Sequence, residues 1–382
     1  MKTIVKVLLI TLIVVVIVQC KKEPESINIK DDNFLNALIE QGVDKNSDGI
    51  ISTNEAAQVH FLDVGGCNIS DLKGIEAFVN LDSLDCGGNS LTSLDLSNNH
   101  ELLYLHCWGN LLTSLDVSNN PDLNYLYCLD NSLTILDVSN NPKLTFLHCA
   151  DNILISLNVS NNPDLEILEC AWNPLTSLDV SNNPSLKVLA CSMNSLTSLD
   201  VSNNPAIIDL NCGMNSLTRL DVSNNPALKD LECSWNSLTS LDVSNNPELR
   251  YLWCEDNSLT SLDLSNNLAL AGLSFQLNFL TSLDISNNPA LDILYCDGNL
   301  LTSLDVSNNP ALTYLRCDMN LLTSLDVSNN TSIENLTLAS MPSLYKVCVW
   351  TMPFPPAGVA VDTTGSPNVY FTMNCKNKSP RR

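Results

Sequence analysis

The chain has 382 residues, of which 42 are acidic and 18 are basic, so its formal net charge is −24. A surface this acidic repels nucleic acid and anionic lipid, and it favours cations or basic partners, although the charge could also serve solubility alone. The segment Leu112–Pro121 returns every 21 residues from Leu91 to Asn330, in twelve copies. A unit this short buries its apolar residues only by stacking on its neighbours, which predicts one elongated solenoid.

The N-terminus has the character of an export signal. Residues 1–19 begin with basic residues and continue with an apolar run from Val7 to Val18, which is too short for a membrane span. The residues before Cys20 resemble the lipobox of bacterial lipoproteins, which implies lipidation of Cys20; a retained N-terminal anchor is the alternative. We therefore expect an exported bacterial lipoprotein of the outer membrane or cell surface that contacts the membrane only through its anchor, with residues 20–28 as a polar linker.

Residues 29–60 contain a twelve-residue motif, Asp44–Glu55, that resembles the calcium-binding loop of EF-hands at every diagnostic position. Gly49 permits the sharp turn of such a loop, and Ile51 is the apolar residue that secures it. The resemblance implies Ca²⁺ bound by oxygen atoms of Asp44, Asn46, Asp48, Ile50, Ser52 and Glu55. A metal-free surface loop rich in Asn and Asp is the alternative.

Helices are expected on both sides of this loop. The segment Asn33–Gln41 carries apolar residues at helical spacing, and Thr53 or Asn54 can cap a helix through Ala57. EF-hands usually pair, and only one loop is visible here. We therefore expect weak binding, with a Kd on the order of 10⁻⁴ to 10⁻³ M, and a structural calcium that organises the cap.

Residues 61–341 consist of 21-residue units whose two halves share one pattern. One half reads Leu-x-x-Leu-x-Val-x-x-Asn from Leu112, and the other reads Leu-x-x-Leu-x-Cys-x-x-Asn from Leu123. This resembles the nested leucine-rich repeats of a bacterial family, and the first unit resembles the longer repeat of internalin-type proteins. The resemblance implies a solenoid of short parallel β-strands, mostly β with little helix, preceded by the small helical EF-hand-like cap.

Eleven cysteines keep the 21-residue register, and Phe275 occupies the same position in the remaining unit. A position that accepts cysteine or phenylalanine is an apolar core site, so we expect a ladder of buried free thiols. The register cysteines are Cys86, Cys107, Cys128, Cys149, Cys170, Cys191, Cys212, Cys233, Cys254, Cys296 and Cys317.

An aspartate stands between the two apolar strand positions of the other half-repeat in eleven units, with Asn158 once in its place. The row could attract cations, or it could be a surface feature copied with the repeat. Its members are Asp95, Asp116, Asp137, Asp179, Asp200, Asp221, Asp242, Asp263, Asp284, Asp305 and Asp326.

Outward positions of the cysteine-bearing half vary from unit to unit and hold most of the aromatic residues, including Phe146. Aromatic side chains on a rigid surface are typical anchors for protein or sugar ligands, whereas sequence drift on a covering surface is the alternative. The residues that we predict to bind a ligand are Tyr104, His106, Trp108, Tyr125, Tyr127, His148, Trp172, Trp235, Tyr251, Trp253, Tyr295, Tyr314 and Arg316.

Residues 342–375 depart from the repeat, and Val347–Trp350 and Val369–Thr372 predict a strand-rich C-terminal cap. Because an end cap has little core, Cys348 and Cys375 are the one pair that we nominate as a disulfide. Residues 376–382 form a basic tail.

The sequence favours a cell-surface binding protein that recognises a protein or a cell-surface glycan non-covalently. No catalytic constellation is readable, so we expect no enzyme. The alternative is a passive structural or adhesive surface-layer protein stabilised by calcium.

Overall fold

The computed structural model describes residues 25–375. The predicted signal peptide at 1–19, the predicted lipidation site Cys20, the first part of the linker at 20–28 and the tail at 376–382 lie outside the described residues. Among the residues described, no helix is long and apolar enough to cross a membrane.

The described chain contains two short α-helices, one 3-10 turn and twenty short strands. Helix α1 spans Asp32–Glu40, helix α2 spans Thr53–Ala56, and the 3-10 turn spans Ile75–Ala77. The strands are β1 (Phe61–Asp63), β2 (Ser83–Asp85), β3 (Tyr104–His106), β4 (Leu115–Asp116), β5 (Tyr125–Tyr127), β6 (Leu136–Asp137), β7 (Phe146–His148), β8 (Ile167–Glu169), β9 (Val188–Ala190), β10 (Asp209–Asn211), β11 (Asp230–Glu232), β12 (Tyr251–Trp253), β13 (Gly272–Ser274), β14 (Ile293–Tyr295), β15 (Tyr314–Arg316), β16 (Ser324–Asp326), β17 (Asn335–Thr337), β18 (Lys346–Cys348), β19 (Ala360–Asp362) and β20 (Tyr370–Thr372).

Fifteen of these strands form one parallel sheet, which we call the long sheet. Its order is β1-β2-β3-β5-β7-β8-β9-β10-β11-β12-β13-β14-β15-β17-β19. In the repeats, neighbouring strands pair with an offset of one unit, so that Leu105 lies beside Leu126 and Leu126 lies beside Leu147. Its regular strands come from the cysteine-bearing half of the repeat, and they confirm the predicted solenoid of short parallel strands.

The other half-repeat forms much less regular sheet, although its sequence pattern is the same. Strands β4 and β6 pair, β16 pairs with β18, and β18 also pairs with β20. The units between contribute isolated bridges such as Asp137 to Asn158. The Thr134 amide reaches the Thr113 carbonyl at 3.4 Å, whereas the Cys128 amide reaches the His148 carbonyl at 2.8 Å on the long sheet. Since strands β18 and β20 join this side, the coils continue beyond Met341.

The eleven register cysteines and Phe275 are buried in the core between the two sides of the solenoid. All eleven are free thiols, which confirms the predicted ladder. The nominated disulfide between Cys348 and Cys375 is wrong for this structure, because both residues carry free thiols. Their sulfur atoms and a carboxylate oxygen of Asp326 lie within 4.8 Å of one another. The end cap is therefore held by strand pairing rather than by a covalent bond.

Two rows of buried asparagines connect successive coils in different ways. In one row, the Asn110 side chain accepts the Leu91 amide at 2.9 Å and donates to the Cys86 carbonyl at 3.0 Å. In the other row, the Asn120 side chain donates to the Asn99 carbonyl at 2.7 Å, but its buried Oδ1 atom has no hydrogen-bond partner within residues 25–375. Each coil is thus bonded to its neighbour at both of its turns.

The N-terminal cap is a small unit that packs against the first coil. Asp31 caps α1 through the Asn33 and Phe34 amides, and the Phe34 ring lies 6.5 Å from the Phe78 ring. Ser52 caps α2, so the expectation that Thr53 or Asn54 does so is wrong. The Ser52 side chain and Glu55 form a reciprocal capping box, which starts the helix earlier. The second helix is a single turn of four residues that ends at Ala56.

Candidate functional site: the long-sheet face and the calcium-loop motif

The thirteen residues predicted to bind a ligand divide into two groups. Three of them, Trp108, Trp172 and Trp235, lie in the turn that follows a strand, where Trp172 and Trp235 have a positive φ of 55°. Those two side chains are 58% and 52% exposed. The other ten flank the central leucine of a long-sheet strand, and they are Tyr104, His106, Tyr125, Tyr127, His148, Tyr251, Trp253, Tyr295, Tyr314 and Arg316. The predicted strip is therefore one sheet face together with its rim.

Six rings on three consecutive strands of this face touch one another, and we call them the aromatic patch. Tyr125 and Phe146 stack with centroids 4.0 Å apart at an angle of 4°. The His106 ring centroid lies 5.1 Å from that of Tyr125, and the His148 and Tyr127 rings are nearly perpendicular with centroids 4.7 Å apart. The members are Tyr104, His106, Tyr125, Tyr127, Phe146 and His148. Strand spacing near 4.8 Å suits such stacking because equivalent side chains stand directly side by side.

Carboxylates hold the two histidines of the patch. His148 Nδ1 lies 2.7 Å from Glu169 Oε2, and His106 Nδ1 lies 3.6 Å from Asp85 Oδ2. The hydrogen bond from His148 lowers the pKa of Glu169. Burial raises the pKa of Tyr125, so its hydroxyl stays protonated and can donate to a ligand.

A second aromatic pair lies further along the same face. The Tyr251 and Trp253 rings stack at 6.1 Å and lean over Gly272 of the next strand. A β-carbon on Gly272 would lie 2.7 Å from Tyr251 Cδ1, so only glycine leaves room for this ring. Beyond it, the Arg316 guanidinium lies 5.5 Å from the centre of the Tyr295 ring, within the range of a cation-π contact.

Carboxylates occupy the sheet face between the aromatic groups. Asp209 and Asp230 lie directly beside each other in the sheet register, and Glu232 follows on the same strand. Burial, followed by the neighbouring charge of Asp230, raises the pKa of Asp209. The strip predicted from the aromatic residues omitted these acids, and their alternation with central leucines was the signal that could have found them.

The aspartate row lies on the opposite half of each coil. Asp200 Oδ1 accepts the Ser202 amide at 2.9 Å, and Asp242 accepts the Ser244 amide at 2.9 Å. The hydrogen bonds from these serines lower the pKa of both aspartates. These two aspartates thus stay ionised, and each shapes its own turn through a bond that the other aspartates of the row repeat.

The predicted calcium loop is folded around its first carboxylate. Asp44 accepts the Ser47 amide at 2.7 Å and the Gly49 amide at 2.9 Å. Gly49 has a φ of 78°, which only glycine adopts freely, and Asp48 Oδ1 accepts the Ile50 amide at 2.9 Å. These bonds direct carboxylate oxygens toward the interior of the loop.

Glu55 closes the loop from its far end. Its side chain is only 7% exposed, and it accepts the Lys45 amide at 2.9 Å and the Ser52 hydroxyl at 2.8 Å. The backbone hydrogen bond from Ser52 is the main cause of its lowered pKa, so the buried group remains a carboxylate. Hard oxygen donors with two aspartates and an ionised glutamate suit Ca²⁺, and Ile51 anchors the loop in the core.

The register thiols offer little chemistry. Burial raises the pKa of Cys107 and of Cys149 to about 12, so both remain protonated at neutral pH. A protonated, buried thiol is neither a nucleophile nor a metal ligand. The thiol ladder therefore contributes to the packing of the core.

No model of a protein family matches the chain, and no curated protein matches it. Among solved structures, the chain is similar to the functional domain of InlJ from Listeria monocytogenes, described as including a cysteine ladder. The identity is 37% over 78% of this chain and 75% of that chain, with a TM-score of 0.72.

Two further structures share the fold. The internalin InlF from Listeria monocytogenes is 19% identical over 87% of this chain and 94% of its own, with a TM-score of 0.69. The Arabidopsis receptor kinase HAESA, solved with the peptide hormone IDA and the co-receptor SERK1, is 22% identical over 76% of this chain and 58% of its own, with a TM-score of 0.63. On the strength of the match to InlJ, this chain belongs to the bacterial leucine-rich-repeat family of internalin-like proteins.

Proposed function

We propose that this chain binds a protein or cell-surface partner non-covalently through the aromatic patch and the neighbouring positions of the long sheet. The solved complex of HAESA with a peptide hormone supports a protein or peptide partner for a solenoid of this fold. A cell-surface glycan is the other ligand that aromatic rings on a rigid face could bind. The proposal assigns no catalytic step to any residue.

The observation that carries this proposal is the contact between six rings on β3, β5 and β7. Tyr104 is exposed, and Tyr125, Phe146 and His148 are half-buried, so the patch offers apolar area and polar tips at once. Because the strand backbones of a paired sheet are already ordered, these residues lose little conformational entropy when a partner binds. Aromatic residues in such a setting dominate binding energies at protein interfaces.

A photo-crosslinking amino acid at Tyr125 tests the proposal. The same amino acid at Tyr345, which is half exposed but outside the patch, is the matched control. We expect a partner from the cell surface to cross-link at position 125 and not at 345, and we expect Phe146→Ala to abolish the cross-link with unchanged thermal unfolding. Equal cross-linking at both positions, or none at either, would contradict recognition by this face.

Calcium and membrane attachment complete the proposal. Asp44, Asn46, Asp48, Ser52 and Glu55, with the Ile50 carbonyl, would hold Ca²⁺ and so fix the cap at the start of the solenoid. Bound calcium would supply positive charge that neutralises the carboxylates of this loop. Lipidation of Cys20 would place the long sheet outside the cell, where partners are available; loss of membrane fractionation in Cys20→Ala would support it.

A passive structural or adhesive layer stabilised by calcium is the rival function. The uniform aspartate row favours it, because each Asp is held by its own Ser in the same way from coil to coil. In that case Asp200→Asn and Asp242→Asn would weaken adhesion, while substitutions in the aromatic patch would have no effect. The crosslinking experiment and these variants therefore separate the two functions.

A further inference from the structure

An open cleft of about 310 Å³ lies where strands β10 to β12 end at the rim of the long sheet. Glu232 and Glu255 come from neighbouring coils and line it together with Ser234. Met193, Met214 and Trp235 contribute apolar walls. Charge on one side and apolar surface on the other distinguish this cleft from the aspartate-lined clefts of the opposite half-repeat.

The cleft exists because one coil has a glycine at the position after its register cysteine. Gly213 stands where the adjacent coils have Ser192 and Ser234. A β-carbon on Gly213 would lie 3.0 Å from Glu232 Oε1, so the Glu232 side chain occupies the space that a side chain there would fill. This glycine has no positive φ, and its effect is therefore purely to leave room.

No basic side chain in the part of the chain that the structure describes pairs with the two carboxylates of the cleft. None of the ion pairs formed among residues 25–375 includes Glu232 or Glu255. Burial is the main reason that the pKa of Glu232 is raised, and the charge of Glu255 acts in the same direction. Two partly buried carboxylates without a cation are costly, and a bound cation would relieve both the repulsion and the desolvation.

Two buried polar atoms of the cleft also lack hydrogen-bond partners among the described residues. Ser234 is 3% exposed, its amide donates to Glu232 Oε1 at 2.8 Å, and its hydroxyl forms no well-aligned hydrogen bond with any described residue. The Oε2 atom of Glu255 is likewise buried and unpartnered. Buried polar atoms normally have partners, so these two atoms leave hydrogen-bonding capacity unused beside the cleft.

From these observations we propose that the cleft binds the side chain of an arginine or lysine that the partner presents. The charged end would donate to Glu232 and Glu255, and the aliphatic stem would lie against Met193 and Met214. Trp235, which is 52% exposed, offers its ring to the same cation. The inference rests on the proposed recognition function and specifies the partner as one with an exposed basic side chain.

Fluorine NMR of protein labelled with 5-fluorotryptophan tests this proposal directly. The chain has five tryptophans, and Trp235→Phe identifies the resonance of interest. The probe is N-acetyl-arginine amide, and the neutral N-acetyl-citrulline amide is its matched control. We expect the arginine probe to shift the Trp235 resonance saturably and the citrulline probe to leave it in place.

Variants at the carboxylates make the test specific to the cleft. The double variant Glu232→Gln and Glu255→Gln keeps the side-chain shapes. We expect it to lower the affinity for the arginine probe about tenfold or more. Glu248→Gln removes one charge at an exposed position outside the cleft and should change nothing. Thermal unfolding of each variant verifies that the solenoid is intact, and Gly213→Leu, which fills the cleft, is a second way to abolish binding.

The outcomes separate this inference from the proposed function. No Trp235 shift with arginine, an equal shift with citrulline, or a shift with CaCl₂ alone would overturn the basic-side-chain cleft. Cross-linking of a partner at position 125 could still succeed in each case. Conversely, saturable arginine binding without any cross-linked partner would retain the cleft and reject the proposed recognition surface.

Discussion

The backbone amide of Ile27 donates a hydrogen bond to the carbonyl of Ile51 at 2.8 Å. Ser26 forms an antiparallel bridge with Ser52, and the Thr53 amide donates to the Glu25 carbonyl at 3.0 Å. The segment before α1 therefore pairs with the second half of the predicted calcium loop. This backbone pairing holds the second half of the loop in shape.

We predict that Ile27→Pro weakens calcium binding by about fivefold. Proline removes the amide that donates to the Ile51 carbonyl, and a hydrogen bond of this kind contributes about 1 kcal/mol. Isothermal titration with CaCl₂ measures the Kd of the variant and of the parent. Ile27→Ala keeps the amide and serves as the control for the lost side chain, so a similar loss in both variants would argue against the backbone pairing.

Calcium itself is expected to stabilise the cap. At 10 mM Ca²⁺ and a Kd on the order of 10⁻⁴ to 10⁻³ M, the folded cap gains about 1.4 to 2.7 kcal/mol. Hydrogen exchange of the amides in α1 should slow by a corresponding factor, while amides in the central coils remain unchanged. Glu55→Gln should remove the response, whereas Glu101→Gln, at an exposed position outside the loop, should keep it. A response that survives Glu55→Gln would place the ion elsewhere.

The thiol ladder predicts a steep loss of stability in alkali. Burial raises the pKa of Cys107 and Cys149 to about 12, above the ordinary thiol value of about 8.5. A raised folded-state pKa means that the neutral thiol is favoured in the folded protein, so the stabilisation is complete below about pH 8.5 and is lost as the pH rises toward 12. Each such thiol contributes up to about 1.4 kcal/mol per pH unit in that window.

Urea unfolding at pH 8, 9 and 10 measures how steeply the free energy of unfolding falls with pH. Replacing Cys107 and Cys149 by alanine should reduce the fall of the unfolding free energy with pH by the share of these two thiols. The double variant should also be less stable than the parent at pH 8. A control variant with Cys375→Ala, which lies partly exposed at the end of the chain, should retain the slope. A slope that does not depend on the number of ladder thiols would show that other groups cause the alkaline unfolding.

Much of this architecture follows from the repeat, because one buried pattern repeated twelve times leaves few alternatives. The position of Cys191, for example, is buried in every unit whether cysteine or phenylalanine fills it, and the sequence shows both. The difference between the two half-repeats could not be predicted, since Val180 and Cys191 occupy equivalent places in the pattern. Which half-repeat forms the long sheet depends on how closely neighbouring coils approach each other on that side. That distance is set by the packing of the whole stack.

The surface was harder to predict for a related reason. Trp235 was grouped with Trp253 by residue type, yet it lies in a left-handed turn at the rim, whereas Trp253 lies on the sheet face. The cleft beside it depends on the missing side chain of Gly213, which no aromatic pattern reveals. Likewise, the pairing of Ile27 with the loop joins residues 24 positions apart that carry no matching motif.

The two asparagine rows should differ in how much they stabilise the solenoid, and one coil provides a matched pair. Asn257 donates to the Cys233 and Cys254 carbonyls and accepts the Leu238 amide at 2.9 Å, so both Nδ2 and Oδ1 have hydrogen-bond partners. Asn267 donates to two carbonyls, but no described residue donates a hydrogen bond to its buried Oδ1 atom. We predict that Asn257→Ala costs about 1 kcal/mol more than Asn267→Ala, because only the first leaves a buried amide without an acceptor. Chemical unfolding of the two variants in parallel measures the difference, and an equal or reversed cost would mean that the Oδ1 atom of Asn267 has a partner in solution, such as an ordered water.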